Sequence, residues 1–202
     1  MSRLGRFARL PLYEKLSRLQ TAYYRLKTKY FYGPVFKSMG ANCIIRRPIL
    51  LRNCGYTQLG NNVLIRDGVR IEVVLSNPKR TPDLRIGDNV SIEQNVHIVC
   101  HSRVIIGSNV SITANCAIVD VTHPFDSMTH IPNIGNRILD EDSYVEIGEG
   151  TVLGFGSVVL PNVKIGKMSF VGANSVVTKD IPDYGIAAGV PARLLRICRP
   201  ED

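Results

Sequence analysis

The chain has 202 residues, a formal net charge of +8 and five cysteines, none of them in a Cys-x-x-Cys pair. No apolar run is long enough for a signal peptide or a transmembrane helix, so we expect neither. The odd cysteine count argues against a disulfide framework and favours reduced thiols in the cytoplasm. A chain of this length can fold as one large domain or as two small ones.

The first 40 residues hold the whole net charge. They contain nine basic residues and one acidic residue, Glu14, whereas the rest of the chain has 16 of each sign. Large apolar residues recur in this arm in steps of four and three, which predicts one stripe along an amphipathic helix. The stripe consists of Leu12, Leu16, Leu19, Tyr23, Leu26 and Tyr30.

Two interpretations of this basic helix stay open. The helix can pack on the rest of the protein or join subunits through its stripe. It can also lie on an anionic membrane, which would make the protein peripheral at the inner face of the cell membrane. Nucleic-acid binding is disfavoured because no recognised binding motif accompanies the charge.

From residue 59 onward, aliphatic residues recur every six positions. They do so in four blocks, at 59–71, 86–98, 106–118 and 147–177. Neither a helix, with its period of 3.6, nor a strand, with its period of 2, produces a step of six. A solenoid with three flat faces per turn, each six residues long, accounts for this period.

A second position of the hexad supports this interpretation. Three residues after each aliphatic residue that opens a hexad, the chain has Asn or Gly in every case but one. These positions are Asn62, Gly68, Asn89, Asn95, Asn109, Asn115, Gly150, Gly156, Asn162, Met168 and Asn174. Asn and Gly tolerate a positive φ, which a tight corner requires. The next position holds a small or β-branched residue, such as Cys116, which fits a narrow interior.

This signature resembles that of the hexapeptide-repeat acyltransferases over residues 41–198. The resemblance implies an all-β solenoid, a left-handed parallel β-helix, in a homotrimer with sites between neighbouring subunits. We therefore expect a basic helical arm at 1–40, an acyltransferase domain at 41–198 and a short tail at 199–202.

The six-residue period is interrupted twice. Nine extra residues after position 71 and 23 after position 118 predict loops near 72–85 and 122–144. An insertion of the second length in a compact domain is usually functional or disordered. His123 stands at the edge of this insertion, just before Pro124 diverts the chain. A rigid coil that holds His123 beneath a loop suits a catalytic base.

The segment TANCAIVDVTHPFD at 113–126 resembles the active-site segment of maltose, galactoside and nodulation-factor O-acetyltransferases. In those enzymes an Asn precedes the catalytic His by eight positions, and Asn115 and His123 have that spacing. The resemblance implies acetyl transfer from acetyl-CoA to a sugar hydroxyl, with His123 as general base and Asn115 as a substrate-binding residue. It implies no metal. Asp120 or Asp126 can orient the imidazole.

The segment GANSVVTKDIPDYGIAAGVPARLLR at 172–196 resembles the acetyl-CoA-binding end of the same enzymes. The resemblance implies that one backbone meets the pantetheine arm and that four side chains meet the nucleotide end. The backbone is that of Ala173, and the four side chains are those of Thr178, Lys179, Arg193 and Arg196. Lys and Arg suit this role because coenzyme A is phosphorylated. The family often has a Trp where this chain has Glu146, and Tyr144 is a candidate replacement for that ring.

The acceptor is narrowed by a further resemblance. Residues 43–74, which follow a basic helix, are similar to O-antigen, colanic-acid and capsule acetyltransferases, which decorate surface polysaccharide precursors. The expected acceptor is therefore a hydroxyl of a bacterial surface polysaccharide or its precursor. A small or nucleotide-activated sugar is the alternative.

Two other classes of protein remain. The γ-class carbonic anhydrases share this fold and bind zinc through three histidines, but the spacing of His97, His101, His123 and His130 fits their pattern poorly. His130 is instead expected at the loop surface or against the substrate. The second class is a non-catalytic scaffold, which His123, the long loop and the basic C-terminal segment disfavour.

Overall fold

Short parallel strands build the protein. The computed structural model describes residues 10–124 and 137–198, in which the first 18 strands join three sheets in rotation and the last two join the second sheet. Sheet 1 comprises β1 (Ser38–Met39), β4 (Thr57–Leu59), β7 (Asp83–Ile86), β10 (Arg103–Ile106), β13 (Tyr144–Ile147) and β16 (Val163–Ile165). Sheet 2 comprises β2 (Ile44–Ile45), β5 (Leu64–Ile65), β8 (Ser91–Ile92), β11 (Ser111–Ile112), β14 (Val152–Leu153), β17 (Phe170–Val171), β19 (Gly185–Gly189) and β20 (Ala192–Ile197). Sheet 3 comprises β3 (Leu50–Arg52), β6 (Arg70–Val73), β9 (His97–Cys100), β12 (Ala117–Val119), β15 (Val158–Val159) and β18 (Val176–Val177).

Each strand between the two ends of the coil pairs with the strands one turn earlier and one turn later along the chain. Ile112 of β11, for example, lies between Ile92 of β8 and Leu153 of β14. Among the described strands, only β19 and β20 pair antiparallel. The chain thus passes through three parallel sheets in turn, which is the arrangement that the six-residue period predicts. The left-handed sense of the coil stays a prediction.

The aliphatic residues of the hexads form the core, as predicted. Every one of them in the four blocks is buried, and so is every small or β-branched residue after a corner. The Cys116 thiol is 1% exposed and lies 3.1 Å from the carbonyl oxygen of Gly154, which confirms its expected place in the core. Outward-facing residues of each sheet are left available for chemistry.

The predicted corners are confirmed by the backbone. All eleven corner positions have a positive φ, between 53° and 75°, and Met168 is among them. Asparagine side chains of successive turns also bond to one another at these corners. Asn62 Nδ2 donates to Asn89 Oδ1 at 2.9 Å, and Asn89 Nδ2 donates to Asn109 Oδ1 at 3.1 Å.

A helix closes the N-terminal end of the coil. Helix α1 (Leu12–Lys27) continues into a π-helical turn (Thr28–Tyr32) and a 3₁₀ turn (Gly33–Val35). The Thr28 hydroxyl accepts a hydrogen bond from the Ile45 N–H at 2.7 Å and lies 3.3 Å from the Ile45 carbonyl. Because β2 pairs with β5 on one side only, Thr28 satisfies backbone groups at a free sheet edge.

We expect Asn89→Ala to lower the free energy of unfolding by about 1–2 kcal/mol, because alanine pays the steric cost of a left-handed corner. Asn89→Gly is the matched variant, since glycine also loses the side-chain ladder but accepts the positive φ. Denaturant unfolding of both variants measures the difference. Equal losses for the two variants would assign the cost to the ladder and contradict the backbone argument.

Candidate active site

His123 is held where the coil gives way to the long insertion. It follows β12 by four residues and is exposed. Its Nδ1 lies 2.6 Å from the carbonyl oxygen of Arg137. A carbonyl oxygen can only accept, so Nδ1 carries the proton of the neutral ring and Nε2 keeps its lone pair. The backbone therefore selects the tautomer that a general base at Nε2 needs.

The returning end of the insertion is fastened to the coil. The Leu139 N–H donates to the Thr122 carbonyl at 2.9 Å, next to the contact between His123 and Arg137. The first insertion reaches across to the same segment, where the Arg80 guanidinium lies 3.1 Å from Asp140. Arg80 thereby helps to fix the segment that carries the Arg137 carbonyl.

Charge supports this attachment at neutral pH. The hydrogen bond from Asn77, together with Arg80, holds the pKa of Asp140 below its usual value. A carboxyl whose pKa is lowered on folding stabilises the folded state at a pH above its unfolded pKa of about 4. This stabilisation is lost as the pH falls through the folded pKa. Arg80 also pairs with Asp142, so one guanidinium links two carboxylates of the returning segment.

Asp120 has a structural role at this corner. Its carboxylate accepts hydrogen bonds from the N–H groups of His101 at 2.5 Å, Ser102 at 2.8 Å and Arg103 at 2.8 Å. Burial raises the pKa of the Asp120 carboxyl, and the three donors act in the opposite direction. The structure thus directs Asp120 to a backbone turn and the Arg137 carbonyl to the imidazole. Asp126 and His130 lie outside the described residues.

A groove of about 650 Å³ runs from His123 along the outer face of sheet 3. Its wall includes His97, Arg70 and Glu72, which lie on neighbouring strands because Arg70 pairs with His97. Valine side chains, among them Val119, supply the apolar part of the wall. A polar and apolar lining of this kind suits a sugar, which has both hydroxyl groups and C–H faces.

The groove holds more positive than negative charge. Glu72 is 8% exposed and lies between two guanidinium groups, Arg52 at 3.3 Å and Arg70 at contact distance. Burial lowers the pKa of His97, and the Arg70 charge lowers it further. His97 is therefore neutral at physiological pH and can both donate to and accept from a hydroxyl. Among the described residues that line the groove, one guanidinium charge remains uncompensated after Glu72 is paired.

Asn115 occupies one of the corners. Its backbone has a φ of 61°, and its Oδ1 accepts a hydrogen bond from Asn95 Nδ2 at 3.2 Å. It does not belong to the residues that line the groove beside His123. The structure accounts for Asn115 through the corner ladder, and its substrate-binding role stays a prediction.

The predicted cofactor residues lie on the last turns of the coil. Thr178 and Lys179 directly follow β18, and Arg193 and Arg196 lie on β20 opposite Ala188 and Ile186. All five of the predicted residues, including Ala173, are exposed and free to meet a ligand. Their cofactor role stays a prediction.

One residue of this set, Thr178, shares an outward-facing row with the groove residue Val119. Ile118 pairs with Val159, and Val159 pairs with Val177. The residue that follows each of these three buried residues faces outward, so Thr178 lies on the same row as Val119. Two strand spacings, about 10 Å, separate them.

Glu146 does not lie in the groove. It pairs with Arg103 and lies 3.6 Å from Lys164 Nζ on the outer face of sheet 1, close to Tyr144. Its position is therefore explained by ion pairs between strands.

The residues with metal-binding side chains are dispersed. Over 10–124 and 137–198, no group of three His, Cys, Asp or Glu side chains has a geometry that could hold a metal ion. His101 is buried and lies 2.7 Å from the Ser76 hydroxyl, which accounts for it structurally.

The comparison with known proteins decides the family. Residues 144–179 match the model of the bacterial transferase hexapeptide (six repeats) family. The chain is similar to WbbJ of Escherichia coli, which is named as a lipopolysaccharide biosynthesis O-acetyl transferase. The two are 35% identical over 163 residues, which are 77% of this chain and 79% of WbbJ. The chain belongs to the hexapeptide-repeat acetyltransferases.

Other relatives of this hexapeptide-repeat acetyltransferase agree with that assignment. The galactoside O-acetyltransferase of Lactococcus lactis is 29% identical over 168 residues, and the chain spans 66% of its length. AntD, an N-acyltransferase from Bacillus cereus in complex with dTDP and 3-hydroxybutyryl-CoA, superposes with a TM-score of 0.71 at 22% identity. The match covers 86% of this chain and 89% of AntD, and it shows a common fold.

Sequence reasoning missed the residues that support and surround His123. Arg80, Glu72 and the Arg137 carbonyl gave no local signal, because each acts through a partner far away along the chain. His97 was considered as a metal ligand only. Its outward place on a strand, one position before the buried Ile98, could have indicated a groove residue.

We expect Asp120→Asn to lower the free energy of unfolding by about 1–3 kcal/mol, because an amide cannot accept three buried N–H groups as a carboxylate does. The pH midpoint of kcat/KM should not move, since Asp120 does not touch the imidazole. Glu141→Gln is the control, because it removes an exposed carboxylate from the neighbouring returning segment and leaves the Arg80 pairs with Asp140 and Asp142 intact. A shifted midpoint in Asp120→Asn alone would restore Asp120 as the orienting group.

Proposed function

We propose that the protein transfers an acetyl group from acetyl-CoA to a sugar hydroxyl of a bacterial surface polysaccharide or its precursor. The observation that carries this proposal is the hydrogen bond from His123 Nδ1 to the Arg137 carbonyl, at the mouth of a groove that can hold a sugar. The similarity to WbbJ and to galactoside O-acetyltransferases supports the choice of reaction and acceptor.

His123 would act first as a base and then as an acid. Nε2 accepts the proton of the acceptor hydroxyl while its oxygen attacks the thioester carbonyl carbon. The C–S bond then breaks, and the imidazolium returns the proton to the leaving thiolate. The Arg137 carbonyl stabilises the imidazolium because it accepts from Nδ1 throughout. Backbone N–H groups of the coil are the expected donors to the oxyanion.

Acetyl-CoA would extend from the groove toward the C-terminal turns. The outward row that links Val119 to Thr178 gives the pantetheine arm a path along sheet 3. Lys179, next to Thr178, and Arg193, on β20 of sheet 2, are exposed cations suited to phosphates. We further propose a left-handed coil and a homotrimer in which the exposed groove is completed by a neighbouring subunit.

The alternative acceptor is a nucleotide-activated sugar. The observation that favours it is the uncompensated guanidinium charge beside Glu72, since a nucleotide-activated sugar carries a diphosphate. A lipid-linked precursor with a diphosphate bridge has the same charge. Comparing turnover on a free sugar and on its diphosphate-linked form separates these acceptors from a neutral polysaccharide.

We expect His123→Ala to lower kcat by roughly 10²–10⁴-fold with the fold intact, which is the usual contribution of general acid–base catalysis. His97→Gln is the matched control, because it changes a histidine of the same groove that we place against the acceptor. It should raise the acceptor KM more than it lowers kcat. Turnover of His123→Ala close to that of the parent would remove His123 from the mechanism.

We expect Lys179→Ala and Arg193→Ala to raise the KM for acetyl-CoA with little change in kcat, since contacts remote from the thioester bind ground and transition states alike. Calorimetric titration with coenzyme A gives the dissociation constant directly. Lys164→Ala on sheet 1 removes a lysine from a different face and serves as control. If both variants bind coenzyme A as the parent does, the two residues do not contact it.

A further inference from the structure

The two faces of helix α1 have different surroundings. Tyr24 and Thr28 are buried against the coil, where the Tyr24 hydroxyl accepts from Arg47 Nε at 2.9 Å. The predicted apolar stripe is on the far side. At 100° per residue its centre lies roughly 140° from the centre of the buried pair. Every stripe residue is between 56% and 72% exposed: Leu12, Leu16, Leu19, Tyr23, Leu26 and Tyr30.

This exposure is large and continuous. Single exposed leucines are common on proteins, but six large apolar side chains in one row mark an interaction surface. The coil does not use them, since the helix attaches through Tyr24, Thr28 and the following Tyr32 and Phe36, which reach the core. The stripe is therefore available to something outside the described chain.

A basic band runs beside the stripe. Lys15, Arg18, Arg25 and Lys29 fall within about 80° of helix circumference, between the buried face and the stripe. The band ends in a cleft of about 660 Å³ under the helix, and its described lining includes Arg25, Lys29 and Lys37 and no acidic residue. The surface thus combines apolar side chains with a one-sided positive charge.

The charges disfavour a second copy of the helix as the occupant. Lys15, Lys27 and Lys29 stand at the positions that flank the stripe, where coiled coils place complementary charged pairs. No acidic residue of the described helix occupies a flanking position, because Glu14 lies on another face. Helices associated through this stripe would bring like charges together, which opposes association.

We propose that this face of helix α1 docks on the surface of an anionic phospholipid bilayer. The stripe enters the interface between headgroups and acyl chains, and the basic band and cleft meet the lipid phosphates. Tyr23 and Tyr30 suit this depth because a tyrosine has an apolar ring and a polar tip. No described helix has the length and apolar character to cross a bilayer. The proposed contact is peripheral because the stripe occupies one face of helix α1 and the opposite face packs on the coil. This inference does not depend on the acetyl acceptor.

Point substitutions test it better than removal of the arm, because Tyr32 and Phe36 belong to the core. Leu19→Glu places a carboxylate in the stripe, and Gln20→Glu places one at the next position outside it. Flotation of the full-length protein with phosphatidylglycerol–phosphatidylcholine vesicles should fall roughly tenfold or more in Leu19→Glu, the effect of losing a buried leucine. Gln20→Glu adds the same charge beside the stripe and keeps the leucine, so it should float less than the parent but clearly better than Leu19→Glu.

The charge requirement is tested separately. Binding to mixed vesicles should weaken from about 0.1 M to about 1 M salt, where the screening length falls from about 10 Å to about 3 Å. Pure phosphatidylcholine vesicles should bind the protein much less. The double variant Lys15→Gln and Arg18→Gln should lose more binding than Lys79→Gln with Lys167→Gln, which removes the same charge elsewhere.

Circular dichroism and light scattering of every variant establish that the fold and the subunit number are retained. The proposal is overturned if the parent does not float with anionic vesicles at about 0.1 M salt, or if Leu19→Glu floats as well as Gln20→Glu does. It is also overturned if Leu19→Glu reduces the subunit number while the parent ignores vesicles. That result would identify the stripe as a subunit contact.

Discussion

The structure depends on one backbone constraint, a left-handed corner after each flat face of the coil. Asn or Gly supplies this conformation at ten of the eleven predicted positions, and Met168 adopts it as well. Each corner returns the chain to the next sheet, where a strand of only two to six residues pairs with the turns before and after it. The stability of a turn therefore comes from its neighbours, and both ends of the coil need a different solution.

Those ends are closed in two ways, and each closing element carries residues with a proposed ligand contact. At the N-terminal end, Thr28 bonds to the free edge of sheet 2, and the packing that holds it there leaves the opposite face of helix α1 exposed. At the C-terminal end, the β19–β20 hairpin completes the same sheet and presents Arg193 and Arg196. Helix α1 and the β19–β20 hairpin thus each close one end of the coil and also carry the residues of a proposed ligand contact.

The coil accommodates insertions between its turns as long as the strands on either side stay in register. β10 pairs with β13 although the second insertion separates them along the chain. The rigid coil fixes the approach to His123, while Arg80 and Leu139 hold the returning segment that orients the ring. A flexible insertion alone could not set the imidazole tautomer, because the Arg137 carbonyl must stay within hydrogen-bond distance.

The sequence by itself determined the period, the corners and the inward residues, because each of these follows from a position within six consecutive residues. It also indicated His123, since an interruption of a regular pattern is visible locally. Only the tertiary structure decided that Arg137 rather than Asp120 orients this histidine, and that His97, Glu72 and Arg70 share a groove with it. These contacts join residues on different turns, and their distances depend on the pairing of strands. Helix α1 is a second example. Its apolar stripe was predicted from the sequence, but its buried face was decided by the tertiary structure, where Tyr24 and Thr28 bond to the coil.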